Sequence, residues 1–370
     1  MTDVETRLRD ALSVRASSVP HDPYAYGAIA RRRANRRFTR LAAPIAAVAA
    51  TAALVGAATV TVRFPERAGP AGGGPARLGV LLENGRALVV ERANPRGPVL
   101  AQSPPEYGEV DDLSTADGET FYAAAGRKGT CASVLFTMTA DGRSTKLLDV
   151  AGAVTGLAVS PDGQRLAYAV AVRRGTPDAI PGCGTIVDVH VRDLATRTEK
   201  VWRGYLGVTP AQHLTWSADG RYLAHDGVFD VSRIDTTAPA TRRPKAFLDN
   251  FRNPYGGGLC FPRAPGYLPT GELVVLVDCE NAGTDDPTTS RAVVVDPVTG
   301  RLGRVVFRLP NKLESHWLAF DRTGENALVG AGKSTFRDVN TRYNVVYWWQ
   351  PGKQPRRVSD ASKSWERVVW

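Results

Sequence analysis

An apolar run, a turn of Ser-x-Asp-Gly type and a second apolar run recur along residues 113–330, and most copies are followed by two more strand-like runs. Four strands per unit at intervals of about 50 residues predict an all-β domain folded as a ring of blades, a β-propeller. The uncharged stretch Leu41–Val62 (LAAPIAAVAATAALVGAATVTV) stands apart from these repeats and predicts that the propeller follows a single membrane-spanning helix. Unpaired strand-like runs at the two ends of the repeat region predict how the ring closes.

Residues 1–40 come first. Thr2 and Glu5 have capping-box spacing, Val4, Leu8, Ala11 and Leu12 form a narrow apolar stripe, and Asp22-Pro23 has the form of a second helix start. Two short helices on the cytoplasmic side are expected. They serve as an orienting segment or, in a regulatory reading, as a docking peptide for a cytoplasmic partner such as a sigma factor. With His21 alone and no Cys before the apolar stretch, a zinc-binding version of such a peptide lacks ligands.

The cluster RRRANRRFTR (Arg31 to Arg40) precedes Leu41–Val62, and only Arg63 and Arg67 follow closely, so the positive-inside rule places the N-terminus in the cytoplasm. A cleaved signal peptide has a shorter leader and an apolar core of roughly 7–15 residues, which fits poorly. The expected domains are a basic helical segment (1–40), a transmembrane helix (41–62), a flexible Gly/Pro-rich linker (63–77) and an extracytoplasmic propeller (78–370).

The formal net charge of +10 divides unevenly. Residues 1–40 hold nine Arg and four acidic groups, so little excess remains over the rest of the chain. No surface interleaves aromatic with basic residues, and nucleic acid is not an expected partner.

The repeat has two clear copies, Leu157 to Val170 (LAVSPDGQRLAYAV) and Leu214 to Gly227 (LTWSADGRYLAHDG). Three degraded ones run from Leu113 to Ala125, Gly266 to Asp278 and Leu318 to Gly330. Asp-Gly between alternating segments supplies the positive φ values that tight hairpins need. Leu78 to Ser103 provides three strands of a further blade, and Ser362 to Trp370 provides a strand with no partner in sequence. Joining them removes two exposed edges and gives six blades, with seven as the alternative.

SPDGQRLAYA (Ser160 to Ala169) and SADGRYLAHD (Ser217 to Asp226) resemble the signature of TolB-type, WD-repeat-like β-propellers. With its basic N-terminus and Ala-rich anchor the whole chain resembles an actinobacterial membrane-anchored propeller protein. That resemblance spans residues 77–370 and implies the fold, with protein contacts or scaffolding and, in a minority of relatives, catalysis. It departs from the signature at Pro269-Thr270-Gly271 and Asp321-Arg322-Thr323-Gly324.

All four cysteines follow the apolar stretch, where disulfides persist. Cys260 and Cys279 flank one hairpin symmetrically and should face each other across the ladder. Cys131 and Cys183 precede the third strand of successive blades and are expected to bridge on one rim.

Catalytic signals are sparse. The five histidines are scattered, and His190 reads as a solvent-side strand residue. His225-Asp226 is a pair without a nucleophile. Asp278, Glu280, Asp285 and Asp286 lack the spacing of a calcium loop. Gly72 to Gly74 and Gly256 to Gly258 do not join a strand to a helix, as phosphate cradles do. No catalytic residue, cofactor or metal is assigned.

Loops joining second to third strands, and links between blades, must emerge on one face. The long insertions Val172 to Gly184, Glu280 to Thr289 and Gly332 to Asn344 and the link Asn250 to Gly258 all fall there. Arg173, Arg174, Arg252, Tyr255, Arg337 and Tyr343 are the expected contacts for an extracytoplasmic protein or cell-envelope polymer. The competing readings are a propeller hydrolase or lyase acting on envelope glycans or peptides, and a transmembrane regulator acting through its N-terminal peptide.

Overall fold

The structure, a computed structural model, describes residues 77–82, 84–91, 99–127, 130–172, 186–206, 213–227, 230–241, 245–249, 251–252, 257–281, 287–310, 313–321, 323–333, 343–357 and 365–369. They form six antiparallel sheets, each a blade. Blade 1 contains β1 (Arg77–Leu82), β2 (Ala87–Glu91) and β3 (Val99–Gln102), and blade 2 contains β4 (Glu109–Thr115), β5 (Thr120–Gly126), β6 (Ser133–Thr139) and β7 (Ser144–Val150). Blade 3 is β8 (Ala153–Val159), β9 (Arg165–Val172), β10 (Ile186–Asp193) and β11 (Glu199–Leu206). Blade 4 is β12 (Leu214–Trp216), β13 (Tyr222–Asp226), β14 (Asp230–Asp235) and β15 (Lys245–Asp249). Blade 5 has β16 (Phe251–Arg252), β17 (Gly257–Tyr267), β18 (Leu273–Asn281), β19 (Pro287–Val295) and β20 (Leu302–Arg308). Blade 6 is β21 (Glu314–Phe320), β22 (Ala327–Lys333), β23 (Tyr343–Trp349) and β24 (Arg356–Arg357).

The last strand, β25 (Trp365–Val369), pairs antiparallel with β1 and completes blade 1. The ring thus closes as the sequence predicts, by a C-terminal strand added to three N-terminal ones, and the count is six rather than seven. Among the described residues no helix is long and apolar enough to cross a membrane. The expected cytoplasmic helices, the apolar stretch 41–62 and the linker up to residue 76 lie outside the described residues.

The core lies between blades rather than within one layer. Six buried apolar clusters occur, one in each seam. Between blades 3 and 4, Trp202, Val189 and Ala169 meet Trp216, Leu223 and Ile234. At the closing seam, Leu78, Val80 and Val368 of blade 1 pack on Trp317, Leu328 and Val346 of blade 6. Gly330 is required there, because a Cβ would sit 2.1 Å from Nε1 of Trp317.

All five repeat glycines, Gly118, Gly163, Gly220, Gly271 and Gly324, have positive φ, including the three in degraded copies. The preceding residue does not, so the turn differs from the Asp-Gly form in which both central residues adopt positive φ. The aspartate acts through its side chain instead: Asp219 accepts from the Ser217 hydroxyl at 2.5 Å and from Arg221 N–H at 2.9 Å. Asp162 is bonded in the same way to Ser160 and Gln164.

These turns define one face of the ring. β1 is the second strand of its blade, so the chain enters the propeller at Arg77 on this tight-turn face, where the Arg77 guanidinium donates to Glu119 in the turn after β4. The second-to-third-strand loops and the blade-to-blade links occupy the opposite face. The expected insertion Glu280 to Thr289 is shorter than the sequence suggests, since β18 extends to Asn281 and β19 begins at Pro287. The link into blade 5 is partly strand, because β16 pairs with β17 through Phe251↔Cys260 and Arg252↔Leu259.

Candidate functional site

The innermost strands of a propeller are edge strands, and some of their N–H groups have no ladder partner. Here polar side chains of neighbouring blades supply acceptors. Asp112 on β4 accepts from Leu157 N–H of β8 at 2.6 Å, and the Ser114 hydroxyl accepts from Val159 N–H at 3.0 Å. Asp226 accepts from Ala264 N–H of β17 at 3.2 Å. Asp278 accepts from Ser315 of blade 6 through its N–H at 3.2 Å and its hydroxyl at 2.7 Å. Asp278, one of the acidic residues whose spacing is not that of a calcium loop, is a structural tie between blades, while Asp285 and Asp286 lie outside the described residues.

Asp112 also accepts from Arg367 of β25, so the closing strand is ion-paired to the neighbouring blade. Burial pushes the Asp112 carboxyl above the usual range against the opposing Arg367 charge, and burial does the same to Asp278 against Arg263. Asp226 differs. Burial raises it, but the charge and hydrogen bonds of His213 more than offset this and hold it below the ordinary value.

The pair suggested by sequence, His225-Asp226, is not formed. Asp226 binds His213 instead, through Nδ1 at 2.6 Å and the backbone N–H at 3.0 Å. The reason is alternation: consecutive residues of β13 point to opposite faces. His225 is fully buried, neither ring nitrogen has a hydrogen-bond partner among the described residues, and burial pushes its pKa down to about 4. His190 is likewise not on the solvent side; it is partly buried, with its ring stacked at 4.9 Å on Tyr168 and Nδ1 3.3 Å from Glu199.

At the tight-turn end the innermost strands enclose a cavity of about 380 Å³ to which all six blades contribute. Arg367 and His213 line it with Thr215, Trp216, Leu318 and Phe320. Four innermost strands carry a β-bulge at matching register, where the pairing with the second strand of the blade skips Asp111, Thr155, His316 and Glu366. In β17 the bulged residue is Ala264, whose φ of 41° is unusual for a residue with a side chain. Among the described residues, no three of His, Cys, Asp and Glu gather as a metal-holding group.

The disulfide expected between Cys260 and Cys279 is present, and the two residues are direct register partners. Cys131, exposed just before β6, is also disulfide-bonded, and its expected partner Cys183 lies outside the described residues. Of the expected binding residues, Arg252 falls on β16 and Tyr343 begins β23. Arg173, Arg174, Tyr255 and Arg337 lie outside the described residues. Sequence reasoning passed over Asp112, His213 and Arg367. Their signal was a charged or polar residue in or beside a strand whose other members are apolar, as in VDDLS, HLTW and ERVVW.

No protein-family model matches the chain, and no curated protein does. Solved structures do. A putative TolB from Agrobacterium tumefaciens superposes with a TM-score of 0.52 at 14% identity, covering 80% of this chain and 92% of that one. The fold is a β-propeller, similar to that of this structure. The β-propeller domain of Cps50 (Swd1) from Myceliophteria thermophila gives 0.45 at 15% identity, over 78% of this chain and 84% of its own. Hydrazine synthase of Kuenenia stuttgartiensis gives 0.46 at 16% identity, over 71% and 70%. At these identities the likeness concerns architecture alone.

Proposed function

We propose that this protein is a membrane-tethered, extracytoplasmic propeller that binds a protein or cell-envelope polymer through its long-loop face, without catalysing a reaction on it. The observation that carries this reading is the division of the ring into two faces. The first strand, β1, begins at Arg77 on the tight-turn face, and the longer loops emerge on the opposite face. Loops on a rigid scaffold are the usual carriers of binding residues. The rigid part is well supplied here, with six packed seams and carboxylate ties between blades.

The enzyme reading rests on His213-Asp226, an imidazole oriented by a carboxylate. Among the described residues no serine, threonine or cysteine is hydrogen-bonded to that ring, so the arrangement lacks an activated nucleophile. The regulatory reading belongs to residues 1–40.

The test is crosslinking of the intact protein in its native membrane, followed by affinity purification and mass spectrometry, beside a chain lacking residues 173–184. An extracytoplasmic partner lost with the deletion supports the long-loop face. A cytoplasmic partner insensitive to it moves the function to the N-terminal segment.

A further inference from the structure

The seams of the ring are fastened unequally. Carboxylates tie blade 2 to 3, 4 to 5 and 5 to 6, where Asp112, Asp226 and Asp278 accept from the N–H groups of Leu157, Ala264 and Ser315. The seam between blades 3 and 4 has no such tie among the described residues. Six positions after its turn glycine, β13 has Asp226, whereas β9 has Ala169. The hydrogen bonds across this seam lie at its tight-turn end. There the Arg165 guanidinium donates to the Gly220 carbonyl at 2.8 Å, the Lys200 ammonium to the Thr236 carbonyl at 3.0 Å, and the Trp216 indole to the Ala158 carbonyl at 3.0 Å.

The long-loop end of the same seam holds His225. It is the penultimate residue of β13, and strand alternation turns its ring toward blade 3, on the face of its register partners Leu214 and Ser232. The ring is fully buried, and neither nitrogen is hydrogen-bonded among the described residues. Blade 3 presents Ala169, Val187, Val189 and Trp202 to this seam, and blade 4 presents Leu214, Leu223 and Ile234. None of these side chains can stabilise a charged imidazole. Asp226, next in the chain, faces blade 5, where it binds Ala264, and it is also held by His213. Arg165, Asp193, Lys200 and Arg221 stand at the tight-turn end. A proton taken up by His225 in the closed seam therefore finds no solvent and no facing carboxylate, and burial outweighs the upward pull of Asp226 and holds its pKa at about 4. Parting the seam at this end gives the ring water and returns it toward the ordinary value of about 6.5. Acid thus favours the parted form. Blade 3 sends its longest insertion from this end, since β9 stops at Val172 and β10 starts at Ile186.

We propose that the seam between blades 3 and 4 is an acid-sensitive latch: protonation of His225 parts its long-loop end and releases what the long-loop face has bound. The release rests on the binding reading above; the parting of the seam does not.

Hydrogen exchange of the full-length chain in non-ionic detergent, read by mass spectrometry at about pH 7 and about pH 4.5 with intrinsic rates divided out, tests the parting. Peptides from β9, β10, β12 and β13 should exchange roughly 50-fold faster at the lower pH, the factor that follows from a pKa of about 4 closed and about 6.5 open. Peptides from β1 and β22, at the closing seam, should keep their protection, and His225→Leu should remove the acceleration. A photo-crosslinking amino acid at Arg174, irradiated in the native membrane, tests the release: an adduct formed at about pH 7 should be lost at about pH 4.5 and retained there in His225→Leu. Acceleration that is absent, that spreads around the ring or that survives His225→Leu overturns the latch. An adduct that persists while the seam parts overturns the release. No adduct at either pH overturns the binding reading, and the exchange data then decide the latch by themselves.

Discussion

Aspartates at the tight turns and aspartates in the seams do opposite things with one side chain. In the turns, Asp141 and Asp296 are exposed and Asp193 is half-buried, and each takes hydrogen bonds from residues two or three positions away. The Thr139 hydroxyl, the Thr196 backbone N–H and the Thr299 hydroxyl respectively lead in holding these carboxyls below the ordinary range. In the seams, Asp112 and Asp278 reach across 45 and 37 residues of sequence to another blade, and burial pushes them up. The turns are locally specified and individually dispensable; the seams hold blade to blade, so a fault in one opens the ring.

The largest effect should come from the closing seam. Arg367→Met leaves Asp112 buried without its cation and should cost about 3–5 kcal/mol, read by urea unfolding; a loss under 1 kcal/mol, within the range of an exposed pair, would mean that Asp112 is satisfied without the closing strand.

His225 comes next, and its sign follows from burial. Its folded pKa of about 4 lies below the unfolded value near 6.5, so the neutral ring is favoured in the fold. Its contribution is full above about pH 6.5 and is lost as pH falls toward 4. His225→Leu should therefore flatten the stability profile across that window, and an unchanged slope in acid melting curves would assign the dependence elsewhere. Asp278 has the reverse sign. Its raised carboxyl makes the ionised form the less favoured one in the fold, so the cost of Asp278→Asn should be smaller at pH 7 than at pH 4. Equal costs at the two pH values would argue that burial does not govern this group.

The smallest effect belongs to a turn. Nothing lies within 4 Å of a Cβ built on Gly163, so Gly163→Ala pays only for its positive φ, about 1 kcal/mol. A loss as large as that of Arg367→Met would erase the distinction between turns and seams.

The sequence made the turns legible because their information is local. Ser160, Asp162 and Gly163 lie within four positions and announce both the hairpin and its glycine conformation, and the same frame placed Cys260 opposite Cys279. Closure by residues 362–370 was also readable, since an unpaired strand at each end of a repeat array has one economical solution. The seams were not readable, because Asp112 meets Arg367 only once the ring is closed. Pairing of Asp226 with His213 rather than with adjacent His225 depends on strand alternation and on where blade 4 begins. The bulges that shape the channel edge carry no residue signature: Asp111, Thr155, Ala264 and His316 share a position in the ladder and nothing in chemistry.

The central claim, binding through the long-loop face of a tethered propeller, is tested most directly by a photo-crosslinking amino acid placed at Arg174 and, in a second chain, at Gln164 in a tight turn. Both are irradiated in the native membrane. The account predicts an adduct of defined mass from position 174 and none from 164. Adducts of equal yield from both positions, or from 164 alone, would contradict it.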